Sequence, residues 1–504
     1  LVAYCYEWFQ NQAANGNGDP RKLRSAVPGD ANSRELFRFA AIDLRHWSLP
    51  AFQRIPPIMK DLTQGSVLSH ALAMAVPIFA GLILVLLCGL IDLYFVAGLG
   101  EAAIAGIGAA GNAGFVTNAL TQIVSVGTLA AVSQAVGRRD RTDANLNFNQ
   151  SLVLSAVCGA CTMAAGFALA RPYMNLVAAD AATVAAGTTY LVWFMPALGL
   201  QFVMFAMSSA LRGIGIVAPM MYVQALTVTI NVILAPVLIL GWGTGYALGV
   251  TGAGLASSLA VAGGVLTLWL YVQKAENYLT LDPKHWRPRM APWRRILSVG
   301  LPAGGEFAIM FVYMATIYYA LGDFGPSAQA GFSIGSRVLG LIQVPAMAIA
   351  FAAAPIIGQN FGAKNGARVK QTISHVLMVV TMVMAVATLV TQWRPELLLR
   401  SFSQDEATIA DGALFLKMVS LNLVAQGLIF VCSSAFQGLG NTKPQLISST
   451  LRLITYVVPT LWLSAQSGFR PEHIWYLSIV TTTMQALLSL WLLRRELRKR
   501  LAFP

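Results

Sequence analysis

Only two of the chain's 21 acidic residues, Asp92 and Glu306, stand well inside long apolar runs; Asp411 and Lys417 lie nearer the edge of one. A carboxylate in hydrocarbon costs about 2.5–3.5 kcal/mol on insertion scales, so it is kept mainly where it faces a cavity, a partner or a translocation path. Asp92, in Gly89-Leu90-Ile91-Asp92-Leu93-Tyr94-Phe95-Val96, could take up a proton on one side of a membrane and lose it on the other. The plain alternative is an interfacial aspartate that reaches water. Glu306 stands four residues after Pro302, and Arg337 and Arg452 are further charges within apolar runs. Other chemistry is thinly provided for. The five histidines, His46, His70, His285, His375 and His473, fall in five separate segments. No cluster of nucleophiles, acids or metal ligands gathers near one face, so neither an enzyme nor a metal or organic cofactor is expected. Cys158 and Cys161 form a C-x-x-C without a histidine or a second pair to complete a metal site.

The elements that must hold these residues are membrane helices. The 504 residues are 56% hydrophobic and 11% charged, whereas a soluble domain carries roughly 25% charged residues. That excludes a soluble enzyme, a disordered chain and a fibre. The apolar residues come in runs of about 20, the length that crosses a hydrocarbon core about 30 Å thick. Twelve spans are expected, at roughly 69–94, 102–134, 151–170, 187–209, 218–240, 248–272, 296–321, 327–357, 373–393, 411–436, 445–465 and 473–493. The fold class is an all-α polytopic membrane protein.

The side holding both termini and the 2–3, 4–5, 6–7, 8–9 and 10–11 loops carries 27 of the 34 basic residues; the other side carries four. By the positive-inside rule both termini face the cytoplasm. The net charge of +13 then reports topology and contact with anionic membrane lipids, not nucleic acid. Residues 1–66 read as a cytoplasmic tail, polar and rich in arginine, with no uninterrupted apolar stretch of the signal-peptide kind. Met59 would be a natural start, so residues 1–58 are expected to be disordered or an over-extended gene model. A competing reading is an interfacial amphipathic helix around 34–47.

A direct repeat organises the rest. Ser208-Ser209-Ala210-Leu211-Arg212-Gly213-Ile214-Gly215, ending at Pro219, is echoed by Ser433-Ser434-Ala435-Phe436-Gln437-Gly438-Leu439-Gly440, ending at Pro444. The offset of 225 also aligns Pro77 with Pro302, Gly100 with Gly325, Gln134 with Gln359 and Gly137 with Gly362. Six spans per half is an even number, so both halves enter the membrane alike, related by an axis along its normal. An N-lobe over 67–291 and a C-lobe over 292–504, the latter with a basic C-terminal tail, would leave between them a cleft that rocks open to either side. That is the architecture of a transporter.

At this point the residues reach a family. The run from Pro77 to Gly100, with Ile91-Asp92 and Val96-Ala97-Gly98-Leu99-Gly100, resembles the first span of the multidrug and toxic compound extrusion (MATE) family. Gln134-Ala135-Val136-Gly137, Leu211-Arg212-Gly213-Ile214-Gly215, Asn231, Gly249-Val250-Thr251-Gly252-Ala253-Gly254 and Gly358-Gln359-Asn360-Phe361-Gly362-Ala363 resemble its other markers in order, over about 60–497. The resemblance implies proton- or sodium-driven export of small lipophilic, often cationic compounds by alternating access, in a multi-pass monomer of the bacterial inner membrane. It implies that Asp92 takes part in ion coupling with Asn231 of the fifth helix, Ser257 of the sixth and Tyr190 of the fourth. Glu306 resembles an acid found early in the seventh helix and is expected to face the central cleft; Arg337 could pair with it instead. One departure matters: where the family usually has an aspartate four residues after the asparagine, this chain has Ala235-Pro236. A sodium ion then has fewer charged oxygen ligands, while a proton needs one titrating carboxylate, so proton coupling is favoured. The alternative is a flippase for a lipid-linked precursor, which would need a more cationic cavity than Arg337, Lys417 and Arg452 supply.

Overall fold

The computed structural model describes residues 60–178, 180–274, 278–402 and 405–502; the side chains of Leu90, Asp92, Leu93, Tyr94 and Ala97 also lie outside the described residues. The expectations for residues 1–58, including the amphipathic helix, therefore fall outside them. Twelve helices are long and apolar enough to cross a membrane, and the described residues contain no strand. They are α1 (Val67–Ala97), α2 (Glu101–Gly137), α3 (Arg141–Val177), α4 (Ala181–Gly213), α5 (Ala218–Leu240), α6 (Val250–Lys274), α7 (Met290–Ala320), α8 (Pro326–Gly362), α9 (Gly366–Trp393), α10 (Glu406–Leu439), α11 (Lys443–Ser464) and α12 (Pro471–Arg500). A 3₁₀ turn at Ser420–Asn422 divides α10. Pro219 sits in the first turn of α5, where its missing N–H leaves no bond unmade.

The halves terminate their helices with the same devices. The repeat offset seen in the sequence relates α2 to α8 at both of their ends, and it relates the starts of α3, α4 and α5 to those of α9, α10 and α11. Past the ends of α2 and α8, Arg139 and Lys364 adopt φ of 60° and 59°, the only non-glycine positive values among the described residues. Asp140 and Asn365 then cap the next helices by accepting from the N–H groups of Asp143 (2.9 Å) and Arg368 (3.1 Å). Asp180 and Asp405 cap α4 and α10 through the N–H and hydroxyl of Thr183 and Thr408. Those hydrogen bonds hold both carboxyls below the ordinary carboxylate range.

In a membrane, small residues let backbones approach closely and replace the hydrophobic effect as the packing device. A Cβ on Gly106 of α2 would stand 2.7 Å from the Gly187 nitrogen and 2.9 Å from the Thr183 oxygen of α4. A Cβ on Gly331 of α8 would meet the Gly412 nitrogen and Thr408 oxygen of α10 at the same 2.7 and 2.9 Å. Packing also crosses between the halves. α1 lies on α5 and on α8, and α7 lies on α11 and on α2. One large buried cluster joins Ala71, Met74, Ala75 and Ile78 of α1 to Ala346–Ile357 of α8 and to α9 and α10.

The linker between the halves is fastened by the first turns of α3, a polar stretch that the sequence reading left out of the third span. The Asn145 carboxamide accepts from Thr280 N–H (2.6 Å), and Asn149 accepts from Asp282 N–H (3.0 Å) and the Trp286 indole (3.1 Å). Gln150 accepts from Arg289 N–H at 2.9 Å. The expected tail boundary at residue 66 also shifts. Residues from Lys60 onward belong to the folded body, with Leu62 fully buried.

Candidate functional site

The two central helices α2 and α8 meet at the end that carries the basic loops. There, α2 is buried almost without break from Val124 to Gly137, and α8 from Ala346 to Asn360. Towards their other ends, buried and exposed positions alternate, and Arg337 on α8 is exposed. The halves thus pack tightly at the basic end, while α2 and α8 are less enclosed towards the other. The closure is reciprocal. Gln359 of α8 donates to the Gly213 oxygen of α4 (2.9 Å), and Gln134 of α2 donates to the Gly438 oxygen of α10 (3.0 Å). A Cβ on Gly137 would overlap the Gln359 oxygen, and one on Gly362 the Gln134 oxygen. Leu62 N–H donates to Gln359 Oε1 (3.0 Å), while Arg368 donates to the Gln64 and Gly65 oxygens, both at 2.8 Å. The segment before α1 is thereby strapped across the closed end.

Each half encloses a polar cluster within its spans. In the first, Asn231 is 2% exposed and donates to Ser257 Oγ at 3.4 Å; Ser257 in turn donates to the Ala253 oxygen at 3.2 Å. Asn231 Oδ1 is buried without a protein partner, so the site offers an unmatched acceptor, which normally has a bond to make. Ala235, one turn along, is buried in an apolar cluster with Val96, Ile239 and Ala253, against which Tyr190 packs. Both α1 and α5 run away from the basic end. One turn back from Val96 along α1 is position 92, as Asn231 is one turn back from Ala235 along α5. The backbone register therefore sets Asp92 at the level of Asn231; its side chain lies outside the described residues. Tyr190 stacks on Phe194 with ring centres 5.1 Å apart. Ser258, which the sequence reading missed, inserts into α4 where Pro196 interrupts the ladder, donating to the Trp193 oxygen (2.6 Å) and accepting from Ala197 N–H (3.2 Å).

In the second half, Glu306 turns to α11. Its carboxylate accepts from Gln445 Nε2 and from Ser449 Oγ (3.0 Å). Gln485 of α12 donates to Ser449 Oγ at 3.0 Å and accepts from Arg452 Nη1 at 3.2 Å. The Arg452 guanidinium lies 4.7 Å from the centre of the Tyr313 ring, whose hydroxyl is 3.0 Å from Ser478 Oγ. The alternative pairing of Arg337 with Glu306 is not made: Arg337, a cleft candidate with Glu306 from the sequence, is exposed on α8 and its guanidinium makes no ion pair among the described residues. The partners Gln445, Ser449 and Gln485 were not anticipated. A signal existed in α11, where Gln445, Ser448, Ser449, Arg452 and Tyr456 recur at helical spacing along one stripe of an otherwise apolar span. Between the halves, Phe115 of α2 packs against Phe307 and Phe311 of α7, each with ring centres 6.3 Å apart. No group of three or more metal-ligating side chains occurs among the described residues.

Comparison with known proteins completes this picture. A single family model, MatE, matches twice, over residues 77–237 and 302–462. The chain belongs to the MatE family. The two matches are related by the offset of the sequence repeat at their starts and at their ends alike. Among curated members, the multidrug export protein MepA of Staphylococcus saprophyticus is 23% identical over 437 residues, covering 86% of this chain and 96% of its own length. MepA of Staphylococcus haemolyticus is likewise 23% identical, covering 87% and 95%. Among solved structures, an outward-facing multidrug resistance MATE family transporter superposes with a TM-score of 0.81 at 22% identity, covering 88% of this chain and 98% of its own. A MOP superfamily transporter from Pyrococcus furiosus gives 0.81 at 22% identity over 87% and 98%. The twelve-helix MATE fold is thus shared along nearly the whole of these relatives. Their family is one of transporters, and this chain is a multi-pass membrane protein of that family.

Proposed function

We propose that this protein is a proton-coupled antiporter that exports small lipophilic, often cationic compounds by alternating access between an N-lobe and a C-lobe. Multidrug export by the MepA relatives supports the substrate class, and the cleft closed at the basic end supports an outward-facing state if that end is cytoplasmic, as the basic loops suggest. Asp92, at the level of Asn231 and Ser257, takes a proton from outside and releases it inside; Tyr190 packs beside that site. Protonation favours one cleft state and displaces substrate, and deprotonation resets it. The observation that carries the choice of ion is Ala235. It fills with a buried methyl the position on the Asn231 face of α5 where a second carboxylate would stand. A site with one carboxylate and neutral oxygens suits a proton, while sodium prefers more charged oxygen ligands.

Dye transport in inverted vesicles tests this. A pH gradient without sodium is expected to drive accumulation by the wild type, and Asp92→Asn to abolish it. Transport that requires added sodium would overturn the ion assignment.

A further inference from the structure

The hydrogen bonds around Glu306 run in one direction. Arg452 donates to Gln485 Oε1 at 3.2 Å, Gln485 Nε2 donates to Ser449 Oγ at 3.0 Å, and Ser449 donates to Glu306 Oε1 at 3.0 Å. Gln445 Nε2 donates to the other carboxylate oxygen. Each dipole in the chain points its positive end towards the carboxylate, and its far end is anchored on a fixed cation. Chains polarised in this way strengthen their members, most of all between charged ends at low dielectric. The guanidinium makes no direct ion pair with Glu306 and is joined to it through Gln485 and Ser449. It is held in place on its second face by the Tyr313 ring at 4.7 Å.

Among the described residues, the surroundings supply no other positive charge. Gln445, Ser448, Ser449 and Tyr456 come from α11, Gln485 and Ser489 from α12, and Tyr313 from α7 itself. On the opposite side of α7, α2 presents Ala119 and Ile123 to Gly304. The repeat-related positions of the first half are Gly81, Gln224 and Thr227 in place of Glu306, Ser449 and Arg452. The network therefore belongs to the second half alone.

We propose that Arg452 is a positioning residue that supplies, through Gln485 and Ser449, the positive charge a metal cation would otherwise bring to Glu306, so that the second half's site excludes sodium. The proposal rests on the reading of this protein as an ion-coupled transporter, but its test needs no transport. A carboxylate already compensated by a tethered guanidinium gains little from a sodium ion, and that ion would be repelled by the resident cation.

The test measures binding of ²²Na⁺ to the purified full-length protein in micelles, with choline as the balancing cation. Wild type and Glu306→Gln are expected to bind sodium equally. Arg452→Gln is expected to gain a site with affinity raised about tenfold or more, and Arg452→Gln with Glu306→Gln to lose it again. Arg452→Lys, which keeps the charge, should behave as wild type; a structural role for the guanidinium fork would make it resemble Arg452→Gln. Gln485→Met cuts the chain while leaving the cation, and should give a smaller gain in the same direction, so the proposal stays testable should Arg452→Gln fold poorly. Sodium binding by the wild type that Glu306→Gln removes would overturn the proposal, as would an absence of gain in well-folded Arg452→Gln. Sodium binding that disappears in Asp92→Asn but survives Glu306→Gln would overturn the proton reading of the first half and leave this proposal standing.

Discussion

Replacing Gly137 by alanine should open the closed end. Its Cβ would lie 2.7 Å from the Gln359 carbonyl carbon and 2.9 Å from its Cα, and would overlap the oxygen. Ordinary van der Waals contact begins at 3.4 Å, so α2 and α8 must separate by at least 0.7 Å, and further to clear the oxygen. Gly137 is the last residue of α2, which leaves little helix-propensity gain to offset the strain. Either the overlap is retained, at about 1–3 kcal/mol for an overpacked contact, or the helices part and stretch the Gln359–Gly213 and Gln134–Gly438 hydrogen bonds, worth about 0.5–1.5 kcal/mol each. The two costs are alternatives, so the closed state should lose about 1–3 kcal/mol, a shift of about 5- to 150-fold in the closed-to-open ratio. Spin labels at Thr142 and Ala367, both exposed at the basic end, would report it as a longer distance population in pulsed dipolar spectroscopy, in a background with native cysteines replaced. Gly362→Ala should act in the same direction, and the double variant should give less than the sum, since the two sites share one crossing. Gly111→Ala is the control, because its Cβ would meet nothing within 4 Å. An unchanged distance distribution in folded Gly137→Ala would refute the assignment of this crossing as the gate.

Asn149→Ala should unfasten the linker between the halves, since it leaves Asp282 N–H and the Trp286 indole without their acceptor. A loss of about 2–6 kcal/mol, at 1–3 for each of the two orphaned donors, should appear as a lower Tm and faster protease cutting within 275–289. The strap before α1 should loosen only in acid. At Asp61, burial works to raise the carboxyl, but the hydroxyl and N–H of Thr63 and the charges of Arg139 and Arg368 outweigh it and hold it below 3.8. A depressed carboxyl contributes stability above its unfolded value and loses it as pH falls through the folded one. A spin label at Gln64 should therefore keep constant mobility from pH 8 to 4 and become mobile only below 3.8; a transition centred near pH 6 would exclude Asp61 as its cause.

The spans were legible because hydrocarbon imposes length and composition directly, and α5, expected over 218–240, starts and ends there. Boundaries failed where polar residues belong to a helix for tertiary reasons. The third span was expected from residue 151, but α3 starts at Arg141 because Asn145, Asn149 and Gln150 are helical residues whose carboxamides grip the linker. Their partners lie more than 130 positions away, and periodicity in a short window carries nothing of that. The adjacency of Asn231 and Ser257 was carried by resemblance, and the two side chains do meet. The Glu306 network was missed because charge drew attention to Arg337, while Gln445, Ser449 and Gln485, which join the carboxylate to Arg452, carry no charge to mark them.

The two halves share a backbone and differ in what they enclose. Asn231 occupies the position that Tyr456 holds in the second repeat, where the hydroxyl is buried. The closed end, by contrast, is chemically even, with a glutamine, a glycine carbonyl and a crossing glycine from each half. Among the described residues no charged side chain bonds to those two glutamine amides, so on the proposed reading an ion bound in either half would bias the gate only through the helices that join them. A ligand shifts an equilibrium only by its differential affinity for the two states, so each site must be strained differently when the gate opens. In the second half α7 is that connection. Gly300, six residues and about 9 Å of helix rise from Glu306, lies against the Ile123 backbone of α2, and the Val299 oxygen accepts from Thr442 at the head of α11. That bond sets the register of Glu306 against Gln445 and Ser449, three and seven residues along α11 from the same Thr442, so strain at the crossing of α2 and α7 would reach the carboxylate through it. On the proposed reading an even gate would be worked by two unlike sites, while the direction of transport would be set by the ion gradient.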